Sequence, residues 1–417
     1  MGNGGYAGEI DEDQKDSKTM KIVQINSTCG AGSTGKICVA ISQLLTEAGV
    51  ENYILYASGK NSHSGGKRYM SFPEMKWQAL KSKIAGNYGF QTKAATRRLI
   101  VELERISPDI IHLHNLHSHN VNLHMLFSYI KEKKIRVFWT FHDCWAFTGY
   151  CPHYDMAGCS QWKEGGCKRC PQRAHYSWFF DRSAMLYERK KQLFSDLDLT
   201  VITPSQWLAD QVKQSFLKEY PVKVIHNGID LSVFAHGESV FRKKYALENK
   251  FVLLGVAFGW GKRKGLDVFL RLAQRLDSEK FQIVLVGTDE KVDKCLPENV
   301  ISIHRTANQA ELAEIYSVAD LFVNPTREEN FPTVNMEALA CGTPVITYRT
   351  GGSPEILDEK TGAVVARNDE EALYREILRI EEERHFRSED CIARAQQFSE
   401  KDRFMEYVRL YEQCGIE

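Results

Sequence analysis

"PTREENFPTVNMEALACGTPVITYRTGGSPEI", residues 325–356, is the stretch on which the reading of the whole chain turns. The apolar run "DLFVNP" (320–325) ends where it begins, so a strand gives way to an acidic loop. A helix is expected to start near Thr333, to carry Glu337 and to stop at Cys341-Gly342. Pro344 restarts an apolar run, "PVITY" (344–348), and Gly351-Gly352 makes a second close-approach turn. Glu329 in the loop and Glu337 eight residues later on the helix can therefore face the same space beyond the strand ends. The N-terminus of that helix offers free N–H groups and a partial positive charge, which suit a diphosphate. A carboxylate on the helix can accept from a ribose diol, and one in the loop can grip the hydroxyls of a sugar.

The same alternation of short apolar runs and longer amphipathic ones fills the chain. In the first half the runs are "KIVQI" (21–25), "NYILY" (52–56), "DIIHL" (109–113), "RVFWTF" (136–141), "LTVIT" (199–203) and "VKVIH" (222–226). The second half repeats the habit with "FVLLGVAF" (251–258) and "FQIVLVG" (281–287) ahead of the two already named. Near-continuous apolar strands separated by helices indicate parallel sheets covered on both faces. Asn308 with Glu311 marks a capped helix start. The turn-rich "HNGIDLSVFAHGES" (226–239) separates the two series. The expectation is an α/β chain of two tandem Rossmann-like domains, 20–236 and 237–398, with a site in the cleft between them. A last helix over 399–417 begins at Ser399 and Asp402 and shows Phe404, Tyr407, Val408 and Tyr411 on one face. Residues 1–19 are polar and read as a disordered extension, with Met20 as the expected natural start.

With its flanks, the acidic motif resembles that of the retaining nucleotide-sugar glycosyltransferases of GT-B fold, the family marked by a Glu-x7-Glu pair. Glu329 and Glu337 occupy its two positions and "EALACGTPVI" follows as in the family. The resemblance implies transfer of a hexosyl unit from a nucleoside diphosphate sugar to an acceptor hydroxyl, by front-face attack, with the leaving phosphate helping to deprotonate the acceptor. It implies no metal or other cofactor for the chemistry, and Glu329 as an orienting and electrostatic group. Where the family has glycines after the first Glu, this chain has Asn330-Phe331-Pro332, and Pro332 has no N–H, so the amides of Asn330, Phe331 and Thr333 are left for the donor. In "GWGKRKGLDVF" (259–269), Lys264 matches the family's phosphate-binding lysine; Arg263 is taken to replace an arginine that the family places where Gly259 and Trp260 stand.

"GAGSTGKI" (30–37) is nearly a phosphate-binding P-loop, but Ile37 stands where a Mg²⁺-binding hydroxyl would be, and no Asp follows an apolar strand to organise the ion. In the resembling family a Gly-rich loop enters the first helix at this place, and Gly32 and Gly35 would let backbone approach the donor or the acceptor. His142, in "WTFHDCW" (139–145), resembles the family's N-domain histidine that contacts the transferred sugar. Among the histidines of "HLHNLHSH" (112–119), His114 is the expected acceptor-side residue.

Lys plus Arg equals Asp plus Glu, 54 each, so bulk charge does not suggest nucleic acid. No stretch is apolar enough to span a membrane. The polar start is unlike a secretory leader, which points to a reducing cytoplasm, where clustered cysteines bind metal more often than they pair. Five of the eleven cysteines lie between 144 and 170 in an insertion-like loop (144–172). Cys151, Cys159, Cys167 and Cys170 end in a Cys-x2-Cys half-site; a structural zinc, a disulfide and reduced thiols all stay open. Residues 76–105 carry seven Lys or Arg against two acids, with Trp77, Leu80, Ile84 and Phe90 interleaved. That pattern suits either a peripheral patch at the inner face of the plasma membrane, near a lipid-linked acceptor, or a helix packed on the domain. The reading is a cytoplasmic glycosyltransferase of surface polysaccharide synthesis. A sugar-nucleotide epimerase or hydrolase on the same fold and a non-catalytic, zinc-stapled assembly protein are the alternatives.

Overall fold

The computed structural model describes residues 20–59, 63–117 and 119–414, so the extension expected over 1–19 and the chain end at 415–417 lie outside the described residues. Two parallel sheets account for the fold. The first contains β1 (Lys21–Thr28), β2 (Glu51–Ser58), β3 (Gly66–Arg68), β4 (Ile110–Leu113), β5 (Arg136–Thr140), β6 (Leu199–Thr203) and β7 (Val222–Val224), in the order β3-β2-β1-β4-β5-β6-β7. The second contains β8 (Phe251–Val256), β9 (Phe281–Val286), β10 (Val300–Ile303), β11 (Leu321–Asn324), β12 (Val345–Tyr348) and β13 (Gly362–Val365), in the order β10-β9-β8-β11-β12-β13. Central strands are buried along nearly their whole length, β6 at every residue, which is why their apolar runs are unbroken. The three strands that the apolar runs did not announce, β3, β10 and β13, all lie at sheet edges. They are three or four residues long and partly exposed, so they lack the continuous apolar signature of a central strand.

The register sets the geometry of the site. β1 pairs with both β2 and β4, Ile25 lying beside Leu55 on one side and Leu113 on the other. β8 pairs with both β9 and β11. In each sheet the winding reverses beside that strand, which opens a crevice beyond its carboxyl end. The chain leaves β1 into the turn before the Gly32–Glu47 helix, and leaves β8 into the loop before the Leu266–Arg275 helix.

The chain crosses between the sheets twice, and the crossings run side by side. Ile229 N–H donates to the Phe398 carbonyl, and Glu400 N–H donates to the Ile229 carbonyl, both at 2.9 Å. Gly228 is required there, because a Cβ on it would lie 2.5 Å from Glu400 Cα. After the second crossing the Glu400–Glu412 helix, its first turn capped by Ser399 Oγ accepting from Asp402 N–H, returns to the first sheet. Phe404, Tyr407, Val408 and Tyr411 are buried there against Ile22, Ile37, Ile41 and Phe138. At roughly 1.5–3 kcal/mol for each buried side chain, this face is enough to hold the C-terminal helix on the N-terminal domain.

Candidate active site

A cavity of about 1170 Å³ lies at the carboxyl ends of β1 and β8. The N-terminal domain contributes Gly32, Ser33 and Lys36 from the turn and first helix; the C-terminal domain contributes Phe258, Arg305, Thr333 and Glu337. The turn is tight: Gly30 N–H donates to the Gly35 carbonyl at 2.9 Å. Gly35 admits no side chain, because a Cβ would lie 2.7 Å from Thr28 Oγ1. Lys36, one helical turn beyond Gly32, is exposed and makes no ion pair among the described residues. Its charge acts on Glu337 across the cleft.

Glu337 projects from the Thr333–Ala340 helix, whose N-cap, Pro332, provides no side-chain acceptor for the first-turn amides. Tyr316 Oη donates to Glu337 Oε2 at 3.2 Å. Burial pushes the Glu337 carboxyl up from its ordinary range, and the Thr333 and Tyr316 hydroxyls and the Lys36 charge offset this only in part.

Glu329 is placed differently. Its Oε2 lies 2.5 Å from Lys264 Nζ, and its Oε1 accepts from Asn330 N–H at 3.2 Å. Burial works to raise this carboxyl, but the lysine's charge and hydrogen bond outweigh it and hold Glu329 below the ordinary range. Neither group lines the large cavity; each satisfies the other at its margin. Lys264 is positioned by a short turn, Lys262–Lys264, that buried Arg327 braces, with Nη1 donating to the Lys262 carbonyl at 2.5 Å. The same guanidinium grips Asp267 at 2.7 and 2.9 Å. Arg263 is exposed, its Nη1 3.5 Å from the Glu328 carbonyl, and is not part of the cavity wall.

Asn330 and Phe331 are engaged elsewhere. The amide of Asn330, expected to face a donor, donates instead to Glu329, and its side chain bridges the domains. Asn330 Oδ1 accepts from Ser205 Oγ at 2.7 Å and Nδ2 donates to the His142 carbonyl at 3.1 Å. Phe331 is buried against His226, ring centroids 4.7 Å apart and planes within 9°. Glu355 adds a second bridge, its two oxygens accepting from Gln206 and Trp207 N–H, each at 2.8 Å. Among the donor-side residues after Glu329, Thr333 and Glu337 are the ones that reach open space.

His142 sits beneath this junction. Its Nε2 meets His114 Nδ1 at 3.2 Å, and His114 Nε2 meets Gln24 Oε1 at 3.1 Å. His114 is thus buried with both ring nitrogens engaged and does not border the large cavity, where an acceptor-side residue was expected. Burial lowers His142 to about 4 and His112 to about 3, so both are neutral imidazoles at neutral pH. His112 is held by Thr140 at 2.8 Å and by Tyr411 of the C-terminal helix at 2.6 Å.

The cysteine insert packs around Tyr150, Tyr154 and Trp162. None of the described cysteines is joined in a disulfide. Burial pushes Cys151 to about 12 and Cys167 to about 11, and Gly149 N–H donates to Cys167 Sγ at 3.1 Å. Among the described residues no three His, Cys, Asp or Glu side chains are grouped as ligands of a metal ion; Cys159, Cys167 and Cys170 are partly buried and near enough to Cys151 for their charges to act on it. The insert touches the acidic loop through Met156 N–H, which donates to Glu328 Oε1 at 2.8 Å.

Lys36, Ser205, Tyr316 and Glu355 were not singled out in the sequence. Only Lys36 carried a usable signal, as the cation ending the Gly-rich turn.

Two family models match the chain: "Glycosyltransferase Family 4" over residues 35–233 and "Glycosyl transferases group 1" over 248–383. A relative in Escherichia coli (strain K12), named as a colanic acid biosynthesis glycosyl transferase, WcaC, is 24% identical over 380 residues, covering 84% of this chain and 88% of its own. Sucrose-phosphate synthase from Thermosynechococcus elongatus superposes with a TM-score of 0.69 at 19% identity, covering 95% of this chain and 99% of its own. Anabaena HepE, solved in complex with UDP-glucose, superposes with a TM-score of 0.67 at 16% identity, covering 94% of this chain and 100% of its own. The fold is GT-B.

Proposed function

We propose, for a chain that belongs to the group 1 glycosyltransferases, retaining transfer of a hexosyl unit from a nucleoside diphosphate sugar to a hydroxyl of a saccharide acceptor. The observation that carries this reading is the shared cavity, which sets the Gly-rich turn and Lys36 of one domain opposite Glu337 of the other. In this reading Glu337 accepts from the ribose hydroxyls, and the free amides at Thr333 face the diphosphate. Lys264, parted from Glu329, supplies the cation for the departing phosphate with Arg263 beside it, while Glu329 turns to the sugar hydroxyls. His142, held through its carbonyl by Asn330, lies on the sugar's other side. The bond from the anomeric carbon to the phosphate oxygen breaks, the acceptor oxygen bonds to the same face, and its proton leaves on that phosphate oxygen.

The colanic acid biosynthesis named for the Escherichia coli relative directs the proposal to polysaccharide synthesis; a lipid-linked acceptor is part of the proposal. The neighbour solved with UDP-glucose makes UDP the first nucleotide to test. Calorimetric titration of UDP, GDP, ADP and ATP tests the reading: one nucleoside diphosphate should bind selectively. No binding by any of them, in a folded protein, would overturn it. A zinc staple at Cys151, Cys159, Cys167 and Cys170 is a separate proposal, tested by metal analysis; one zinc per chain would require the four thiols to close from their present packing.

A further inference from the structure

The Phe72–Ala85 helix is inside out. Its buried side chains are the polar Gln78 and Ser82, while Phe72, Trp77, Leu80 and Ile84 are 53, 55, 37 and 43% exposed. Trp77, Leu80 and Ile84, spaced i, i+3, i+7, share one outward stripe. Beside the end of this helix a second segment does the same: Trp178, Phe179 and Phe180 are 50, 66 and 51% exposed. The two are stapled together, because Trp178 N–H donates to the Lys83 carbonyl at 2.8 Å and Arg182 reaches Asn87 Oδ1 at 2.9 Å. The loop backbone is also satisfied from within: Arg173 donates to the Trp178 carbonyl at 2.9 Å and Ser177 Oγ accepts from Phe180 N–H at 3.2 Å. The rings point outward from a backbone that is tied to the helix and to its own side chains.

The charge set among these rings is cationic. Lys76 lies over Phe72, Lys81 over Trp77, Lys83 over Trp178 and Arg182 over Phe180, at 4.7 to 6.0 Å. The acids within the two segments are already occupied: Glu74 pairs with Arg98, and Asp181 accepts from the Cys170 and Ser183 amides. Large apolar rings with cations among them and no free carboxylate repel a second copy of the same face and match a surface that is apolar within and anionic at its rim. We propose that the face formed by the Phe72–Ala85 helix and the 178–180 loop docks on an anionic lipid bilayer, with the rings at headgroup depth and the lysines on the phosphates. This does not depend on the reaction proposed above.

Co-sedimentation of the full chain with phosphatidylcholine vesicles, with and without phosphatidylglycerol, tests it. Retention should be strong on the anionic vesicles, weak on the neutral ones, and lost with rising salt. Replacing Lys76, Lys81 and Lys83 by Gln should weaken partitioning about fivefold per lysine. Phe179→Ser with Phe180→Ser should weaken it more than tenfold, whereas Val240→Ser, at a still more exposed apolar residue of the other domain, should change nothing. These positions are exposed, apart from half-buried Lys83, so unchanged thermal melting will show that the variants are folded. Equal retention on neutral vesicles, or none on anionic ones, would overturn the proposal. So would a dimer in gel filtration that these same substitutions dissociate.

Discussion

Replacing Glu337 by Gln tests the donor site most directly, because it removes a charge and one acceptor without changing shape. In the free protein the carboxylate is buried, accepts from Tyr316 and Thr333, and is only partly compensated by Lys36. Bound to a ribose it would accept two hydroxyls, each a hydrogen bond to a charged group worth about 1.5–3 kcal/mol. The amide keeps one acceptor oxygen, so the expected loss is one such bond, roughly ten- to hundredfold in affinity. Calorimetry of the preferred nucleoside diphosphate at neutral pH reads this. The 2′-deoxy nucleotide should lose little further affinity in the variant, since its missing bond is already gone. The raised carboxyl adds a pH test. As pH falls through its folded-state range Glu337 takes up a proton, so wild-type affinity should fall in mild acid and the variant's should not. Linkage also sets the sign for stability. A carboxyl raised in the folded state favours folding less as pH rises, so without nucleotide the Gln variant should melt no lower than wild type at neutral pH. Unchanged nucleotide binding, or losses from the mutation and the deoxy substitution that simply add, would refute the assignment.

Lys264→Ala leaves Glu329 without its cation and the departing phosphate without its counter-charge; kcat/KM should fall by roughly 10²–10³ while nucleoside binding is little changed, as steady-state kinetics and calorimetry will show. Asn330→Ala removes the bonds to Ser205 and His142 and should loosen the closed arrangement by about 1–3 kcal/mol, seen as a larger radius of gyration in X-ray scattering. Lys190, fully buried with Nζ donating to the Trp145 and Thr148 carbonyls, is held by burial down to about 7. The unfolded chain keeps that proton to a much higher pH, so wild-type melting temperature should rise as pH increases above about 7, and Lys190→Met should abolish the rise.

Much of this architecture was legible before any coordinate. The apolar runs at 21–25, 199–203 and 281–287 became central strands, because a strand buried on both faces can hold little else. Asn308 does cap its helix, its Oδ1 accepting from Glu311 N–H at 2.9 Å, and a helix does begin at Thr333 and end at Cys341. Such features depend on residues within one or two turns of each other, and a linear pattern carries them. The edge strands β3, β10 and β13 were not legible, since each pairs with a single neighbour and is half solvated.

The site divides in the same way. The residue types needed for a diphosphate and a diol, at Gly32, Gly35, Thr333 and Glu337, stood in the sequence, but their meeting around one cavity did not. Asn330 is linked to Ser205 across 125 residues and to the His142 carbonyl across 188, so its use as a bridge arises only when the two sheets dock. That Gln24 and His142 take both nitrogens of His114 was equally invisible, since the three lie on separate strands and loops. Lys264 and Glu329 likewise became partners only through the fold, 65 residues apart in sequence. Hydrophobic patterning along the chain decided which segments are buried, because burial is set by local periodicity. Which polar groups meet was decided by tertiary structure, because their partners are assigned only once burial has removed water as the alternative.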